Sequence, residues 1–242
     1  MIAAEEKRDV AIVDITNAFI QTRVEREQDK VIIRVRGYLV DVLCKIWSGY
    51  EEYVTTNSKG EKQLLLQCEN AIYGTIIASL LFYNKFCKTL KTNGFELNPY
   101  EPCVGNRMVN DVQQTCGFHV DDVMLTCADV STNDHFIETL REEYKSVFED
   151  GSGKMTVHHG KVHDYLGMRL DFSVEGQVKV SMFDYVDKIL SNWKKRAPED
   201  QGTKTSAAPR DLFVVDKDCA KLDKETAEDF HYFVAKTLFA TK

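Results

Sequence analysis

The segment Cys116–Thr126 sets the tightest limit on what this chain can fold into. Two adjacent aspartates, Asp121 and Asp122, lie between two apolar runs of strand-forming residues, which predicts a tight β-hairpin whose turn carries the acids. Neighbouring side chains of a strand point to opposite faces, but at a turn two carboxylates can face the same end of a sheet. Mg²⁺ prefers such carboxylate oxygens. The pattern alone leaves two interpretations open, a metal site and an ordinary acidic turn.

A third acid lies inside a run that predicts a buried strand. Residues 10–15 are apolar except for Asp14, and continuous apolar runs are typical of strands covered on both faces. A buried aspartate is costly unless it is paired or binds a metal. Asp14 is therefore either a helix cap after the strand or a functional carboxylate. If the strand neighbours the hairpin, the three acids meet at one sheet edge, as two-metal phosphoryl transfer requires.

The rest of the chain mixes strand and helix patterns without strict alternation, which predicts an α+β fold with a mostly antiparallel sheet. Further strands are predicted at residues 31–36, 64–68, 166–172 and 177–182, the last two joined by a hairpin at Glu175-Gly176. Helices are predicted from Ser79 to Gly94, from a capped start at 131–134 to a stop at 150–153, around 186–193, and at 230–238. Polar residues 194–211 predict a linker or loop.

Composition excludes several classes of protein. The chain has 242 residues, of which 43% are hydrophobic and 29% charged, enough for a sizeable buried core. It contains neither a signal peptide nor an apolar run near the roughly 20 residues of a membrane span, so we expect no membrane partner and a cytoplasmic location. Seven scattered cysteines without a Cys-x-x-Cys pair argue against zinc ligands and a disulfide framework and predict buried thiols. The net charge of −7 is unusual for an autonomous nucleic-acid binder.

The other candidate site is a cluster of three histidines, His158, His159 and His163, which could in principle bind a metal ion. Their spacing fits no standard metal-ligand set, so we interpret them as structural or surface residues.

The order of motifs resembles the reverse transcriptase of Ty1/copia-type retrotransposon Pol polyproteins. The matching segments are residues 13–19, 71–74, 98–104, 118–122, 164–168 and 230–236. Each motif alone is weak, but the ordered series is specific and spans nearly the whole chain. The resemblance implies a right-hand polymerase fold, with a palm and a remnant of the fingers at residues 1–190 and a linker and partial thumb helix at 191–242. Most of the fingers and the rest of the thumb are expected to be missing, as in a fragment of a larger element.

The resemblance also implies roles for individual residues. Asp14, Asp121 and Asp122 would be the catalytic palm acids and would bind two Mg²⁺ ions. Phe19 matches the aromatic residue that packs under the nucleotide sugar and excludes a 2′-hydroxyl, with an ordinary core phenylalanine as the alternative. His119 stands where the family usually has tyrosine, and its ring can still pack against a primer sugar.

The remaining site residues and the partners follow from the same resemblance. Leu166, Gly167 and Met168 match the hairpin that grips the primer end. The implied activity is RNA-directed DNA polymerisation on an RNA template with a DNA primer and deoxynucleotide triphosphates. Other Pol segments, integrase and RNase H, are further expected partners, and virus-like particles in the cytoplasm are one expected location.

Two other functions stay open from the sequence. Ile76 and Ile77 stand where many copia-type sequences have a Lys-Gln-Ala-Pro run whose glutamine helps to hold the nucleotide. Isoleucine side chains cannot form hydrogen bonds, so a folded but catalytically inactive remnant is the alternative, which the acidic net charge also favours. A weaker third interpretation is an unrelated metal-dependent phosphohydrolase built on the same acids.

Overall fold

The computed structural model describes residues 1–145, 153–196, 214 and 218–240. The strands in this part of the chain are β1 (Asp9–Asp14), β2 (Ile32–Arg36), β3 (Thr55–Thr56), β4 (Lys62–Gln67), β5 (Glu96–Leu97), β6 (Val104–Val109), β7 (Val112–His119), β8 (Asp122–Cys127), β9 (Thr156–His159), β10 (Val162–Tyr165), β11 (Met168–Asp171) and β12 (Lys179–Ser181). The α-helices are α1 (Ile2–Glu5), α2 (Tyr38–Ile46), α3 (Ile76–Thr92), α4 (Val130–Glu143), α5 (Phe183–Arg196) and α6 (Lys224–Ala240). Short 3₁₀ helices occupy Glu27–Asp29 and Ser48–Tyr53.

The strands form one large sheet and two small ones. The large sheet has the strand order β5-β6-β7-β8-β1-β9, and the small sheets have the orders β10-β11-β12 and β2-β4-β3. Every pair of neighbours runs antiparallel. This arrangement confirms the predicted α+β class with a mostly antiparallel sheet and packed helices.

The central strand β1 is covered on both faces, as its apolar run predicts. Ala11 and Val13 face a core built with helices α3 and α4, which includes Phe86. Val10 and Ile12 point the other way, into a second cluster with side chains of the β10-β11-β12 sheet. Because side chains alternate along a strand, one six-residue element joins the helical layer to the small sheet.

Helices α3 and α4 both begin earlier than predicted. Helix α3 begins at Ile76 rather than Ser79, after Thr75, whose hydroxyl donates to the Ile72 carbonyl at 2.8 Å. Helix α4 begins at Val130, and its N-cap is Asp129, whose carboxylate accepts from the Ser131 amide. The predicted cap at 131–134 is therefore wrong, because a carboxylate upstream already satisfies the first free amide. Of the predicted stop at 150–153, residues 150–152 lie outside the described residues.

The second half of the chain adds two strands, β9 and β10, that the sequence did not indicate. The predicted hairpin around Glu175-Gly176 is present as β11 and β12, and β10 pairs with the other edge of β11. Helices α5 and α6 are longer than predicted and pack through aromatic rings, with Trp193 and Phe233 centroids 5.0 Å apart. The predicted domain boundary at residue 190 falls inside α5, and residues 197–211 of the predicted linker lie outside the described residues.

Two expectations from composition concern the whole described chain. All seven cysteines are free thiols, but the prediction that they are buried is correct only for Cys87, Cys116 and Cys127. The other four are half-buried or exposed, because they lie outside the main core or at its margin. In the part of the chain that the structure describes, no helix has the length and apolar character needed to cross a membrane.

Candidate active site

Three side chains lie in a row at the same end of three neighbouring strands of the large sheet. We call this end of the sheet, which carries Asp14, Asp121 and Asp122, the acidic edge. Asp14 ends β1 directly opposite Asp122, which begins β8, and Asp122 lies opposite His119 at the end of β7. Directly opposed residues share a sheet face. That face is the one away from α3 and α4, because Ile12 and Met124, two residues along their strands, pack into the cluster on that side. The strand adjacency that the sequence left open is thus present.

Asp121 lies in the turn between β7 and β8. The turn is tight because Val120 adopts a left-handed backbone conformation, with φ of 56°, which is uncommon for a β-branched residue. The backbone carbonyl of Asp121 accepts from the Ile15 amide at 2.9 Å, which ties the turn to the end of β1. This hydrogen bond joins the hairpin turn to the end of β1, so the three acids lie at the same end of the strands.

The pKa values of Asp14 and Asp122 are both raised. Burial raises the pKa of Asp14, and the nearby charge of Asp121 raises it further. Burial also raises the pKa of Asp122, with added contributions from Asp121 and Asp14 that His119 partly offsets. An opposite charge would remove this penalty. A cluster made of carboxylates with unrelieved negative charge fits Mg²⁺, which prefers oxygen ligands.

The side chains themselves do not surround a single point. Among residues 1–145, 153–196, 214 and 218–240, no group of three or more histidine, cysteine, aspartate or glutamate side chains is arranged to hold a metal ion. The structure therefore brings together the strand ends that carry the three predicted acids, and it contains no formed ligand set.

Phe19 lies in the turn segment that follows β1 and is half-buried. Its ring is 4.7 Å from the ring of Tyr73 and 6.2 Å from that of Phe82 in α3, measured between centroids. Phe19 is thus packed against the core on one side, as the alternative interpretation expects. Tyr73 was missed as a site residue, although its segment is one of the motifs that carry the family resemblance.

Tyr73 belongs to the same electrostatic environment as the acids. Burial raises the pKa of its hydroxyl, and the charges of Asp121 and Asp14 raise it further, while a hydrogen bond from the Phe19 backbone acts in the opposite direction. Tyr73 therefore lies near the acidic edge through its hydroxyl and against Phe19 through its ring.

The predicted primer-grip residues lie at the turn between β10 and β11. Leu166 and Met168 pack into the apolar cluster on the same sheet face as Asp14 and Asp122. Gly167 has φ of +75°, and a Cβ there would lie 3.1 Å from Cε1 of Phe239 in α6. The turn is consequently held between the large sheet and α6, and glycine is the residue that fits both the backbone conformation and the contact.

Of the three histidines, His158 and His163 pack against each other, and His159 lies apart from them on the surface. His163 is 1% exposed, and its Nδ1 lies 3.1 Å from Nδ1 of His158. Its Nε2 lies 3.0 Å from the Gly160 carbonyl oxygen and so donates to it. His159 lies on the surface, with Nε2 3.5 Å from the Asp134 carboxylate.

The two isoleucines at the start of α3 differ in exposure. Ile76 is fully exposed and Ile77 is half-buried. Ile76 therefore presents an exposed apolar side chain at the start of α3, three residues after Tyr73.

Similarity to solved structures is weak. The apo telomerase of Candida tropicalis matches with 11% identity and a TM-score of 0.36 over 78% of this chain and 36% of that chain. A form of it truncated from the C-terminal domain matches with 12% identity and a TM-score of 0.35 over 72% and 35%. Telomerase of Candida albicans in complex with a fragment of telomeric RNA matches with 10% identity and a TM-score of 0.34 over 78% and 36%. This chain thus spans about a third of the length of these proteins.

Sequence comparison gives a family. No curated protein matches this chain. The family model described as reverse transcriptase (RNA-dependent DNA polymerase) matches residues 1–200, which include Asp14, Asp121 and Asp122. Because that match covers most of the chain and its central motifs, the chain belongs to the reverse transcriptase (RNA-dependent DNA polymerase) family.

Proposed function

We propose that this chain carries the nucleotidyl-transfer site of an RNA-directed DNA polymerase of the Ty1/copia type. The 3′-hydroxyl of a DNA primer attacks the α-phosphate of a deoxynucleotide triphosphate, a phosphodiester bond forms, and pyrophosphate leaves. The observation that carries the proposal is the alignment of Asp14, Asp122 and His119 across three neighbouring strands, with Asp121 in the adjoining turn. RNA would serve as the template.

Reverse transcriptases use divalent metal ions. In this chain Asp14, Asp121 and Asp122 would hold two Mg²⁺ ions, whose chemistry is to lower the pKa of the attacking hydroxyl and to neutralise charge on the leaving oxygens. The carboxylates themselves position the reacting groups at the sheet edge. Their raised pKa values at Asp14 and Asp122 support this role, since both groups gain from a nearby cation.

The other site residues would bind the nucleic acid and the nucleotide. His119 would pack its ring against the primer sugar, beside Asp122. Leu166, Gly167 and Met168 would hold the primer end, because their turn lies on the same sheet face as the acids. Phe19 would lie under the nucleotide sugar, where a flat ring leaves no room for a 2′-hydroxyl.

The partners and the location follow from this role. The RNA template, the DNA primer and the deoxynucleotide triphosphates would be bound mainly through backbone and shape, because a polymerase must accept any sequence. Integrase and RNase H segments of the same polyprotein are proposed partners. The proposed location is the cytoplasm, including virus-like particles.

One observation favours a second candidate, a folded remnant without polymerase activity. Ile76 is 100% exposed at the start of α3, where an apolar side chain would meet a polar nucleotide without a hydrogen bond. The net charge of −7 points the same way, because binding to nucleic acid relies on basic residues.

Primer extension separates the two candidates. A DNA primer annealed to an RNA template is incubated with the chain, Mg²⁺ and deoxynucleotides, beside an Asp121→Asn variant. The matched control is Asp111→Asn, because Asp111 is exposed in the turn between β6 and β7 and its left-handed backbone, with φ of 62°, suits asparagine. The polymerase proposal expects extension by the wild type and Asp111→Asn and none by Asp121→Asn. No extension by folded wild-type chain would support the inactive remnant.

A further inference from the structure

The ring of Phe19 is held by a second segment of the chain that is far away in sequence. Residues 19–24 and 69–73 run side by side, and the Val24 amide donates to the Glu69 carbonyl at 2.8 Å. The Ala71 amide likewise donates to the Thr22 carbonyl at 2.8 Å. The side-chain amide of Asn70 donates to the Ile20 carbonyl at 2.6 Å. These hydrogen bonds fix the two segments relative to each other.

Tyr73 ends the second segment and contacts Phe19 directly. The two ring centroids are 4.7 Å apart and the ring planes are inclined by 41°, within the range of favourable aromatic pairs. Phe82 in α3 contacts Phe19 from another direction, with a centroid distance of 6.2 Å. Phe19 is therefore held between a fully buried ring of the core and the ring of Tyr73.

Tyr73 also has an open side. It is 48% exposed, while Phe82 is 1% exposed. The charges of Asp14 and Asp121 act on its hydroxyl, so the hydroxyl lies near these two acids. Tyr73 is thus the part of the Phe19 support that borders the space where the nucleotide is proposed to bind.

We propose that Tyr73 is a positioning residue that braces the Phe19 ring and thereby sets the discrimination between deoxyribonucleotides and ribonucleotides. This inference rests on the proposed polymerase function and on Phe19 lying under the nucleotide sugar. A 2′-hydroxyl is excluded only if the ring cannot move aside. Without the Tyr73 ring, one flank of Phe19 opens to solvent, and a shift of about 1 Å is enough to change discrimination strongly.

The test is the ratio of kcat/KM for a deoxynucleotide to that for the matching ribonucleotide in primer extension. Tyr73→Ala removes the ring and is expected to lower this ratio about tenfold, by a gain in ribonucleotide use. Tyr73→Phe keeps the ring and is expected to stay within about threefold of the wild type. Tyr38→Ala is the matched control, because Tyr38 is 74% exposed at the start of α2. The double variant Phe19→Ala/Tyr73→Ala is expected to have the same ratio as Phe19→Ala alone, because without the Phe19 ring Tyr73 has no ring to position.

A second measurement does not depend on activity. Urea unfolding of the wild type, Phe19→Ala, Tyr73→Ala and the double variant gives the coupling between the two rings. We expect a coupling of about two- to tenfold in the unfolding equilibrium constant, as for a favourable aromatic pair.

The outcomes are distinguishable. Equal loss of deoxynucleotide and ribonucleotide use in Tyr73→Ala, or the absence of coupling in unfolding, would overturn the brace while leaving the polymerase intact. Coupling without any extension by the wild type would overturn the polymerase proposal and the sugar-selecting role with it, and would leave only the packing of the two rings. Coupling together with a lowered ratio supports the proposal.

Discussion

Asp14 lies directly opposite Asp122 in the antiparallel ladder between β1 and β8. Because the side-chain period of a strand is two residues, a slip of one residue would move one of the carboxylates to the face covered by α3 and α4. The apolar partners on either face prevent this slip: Val13 opposite Val123 faces the helices, and Ile12 opposite Met124 faces the small sheet. The hydrophobic pattern of the two strands therefore fixes the relative position of the two acids.

Replacing Asp122 by asparagine is expected to stabilise the free protein at neutral pH. Its pKa is raised above the ordinary 3.8 by burial and by Asp121 and Asp14, so the folded state holds the proton more tightly than the unfolded state. The charge is then a cost at every pH above the folded-state pKa, and the cost disappears as the pH falls below 3.8. Because the group is partly screened by water, we expect a gain of only a few tenths of a kcal/mol.

Urea unfolding at pH 7 and at pH 3 measures this gain, with Asp111→Asn as the exposed control. A lower free energy of unfolding for Asp122→Asn than for the control at pH 7 would contradict the repulsion among the three acids. The same variant is expected to lose primer extension, because it removes one of the carboxylates proposed to hold Mg²⁺. A gain in stability together with a loss of activity is common when repulsion in a functional site is relieved.

Mg²⁺ is expected to stabilise the wild type through the same acids. A ligand that binds only the folded state raises stability by RT ln(1 + [L]/Kd), which is about 2.7 kcal/mol at a hundredfold excess over Kd. Thermal unfolding with MgCl₂, compared with NaCl at equal ionic strength, measures the effect. The shift should disappear in the variant Asp14→Asn/Asp121→Asn/Asp122→Asn. An equal Mg²⁺ shift in that variant would place the ion elsewhere.

The sequence predicted the parts of this molecule that depend on local patterns. The hairpin at 116–126 and the buried strand at 10–15 could be recognised because each is marked by a run of apolar, strand-forming residues next to its acids. The predicted start of α3 was late because the clear helical spacing of Phe82, Phe86 and Leu90 begins only after its first turn. Strand β10 was missed because Val162–Tyr165 is short and half polar, and its pairing with β11 provides the hydrogen bonds that identify it.

Contacts between distant segments could not be predicted. The site hypothesis could only assume that β1 pairs with β8, because no local sequence pattern indicates which strands become neighbours. Tyr73 was overlooked for the same reason: its contact with Phe19 depends on the hydrogen bonds between segments 19–24 and 69–73. The three acids could therefore be predicted one by one from the sequence, while the contact between Phe19 and Tyr73 could be seen only in the folded chain.

Gln114 is a buried polar residue whose loss is expected to destabilise the fold. It is 0% exposed in β7, accepts from Nε of Arg107 at 2.8 Å, and donates to Oδ1 of Asn133 at 2.9 Å. Gln114→Leu leaves both partners unsatisfied, which costs about 1–3 kcal/mol. The neighbouring Gln113 is exposed on the other face of the strand, so Gln113→Leu should cost less than about 0.5 kcal/mol. Equal losses of unfolding free energy for the two variants would show that the buried network does not stabilise the sheet.

His163 is expected to make the fold sensitive to mild acid. Burial lowers its pKa below the ordinary 6.5, and His158 and His159 lower it further, while the Gly160 carbonyl and Asp9 act against the shift. The unfolded state therefore takes up a proton first as the pH falls below 6.5, and the free energy of unfolding decreases until the folded-state pKa is passed. Urea unfolding between pH 8 and pH 5 should show a steeper loss for the wild type than for His163→Gln. His135→Gln is the control, because His135 is exposed on α4 and its replacement should leave the wild-type slope unchanged. A wild-type slope that persists in His163→Gln would assign the acid sensitivity to another group.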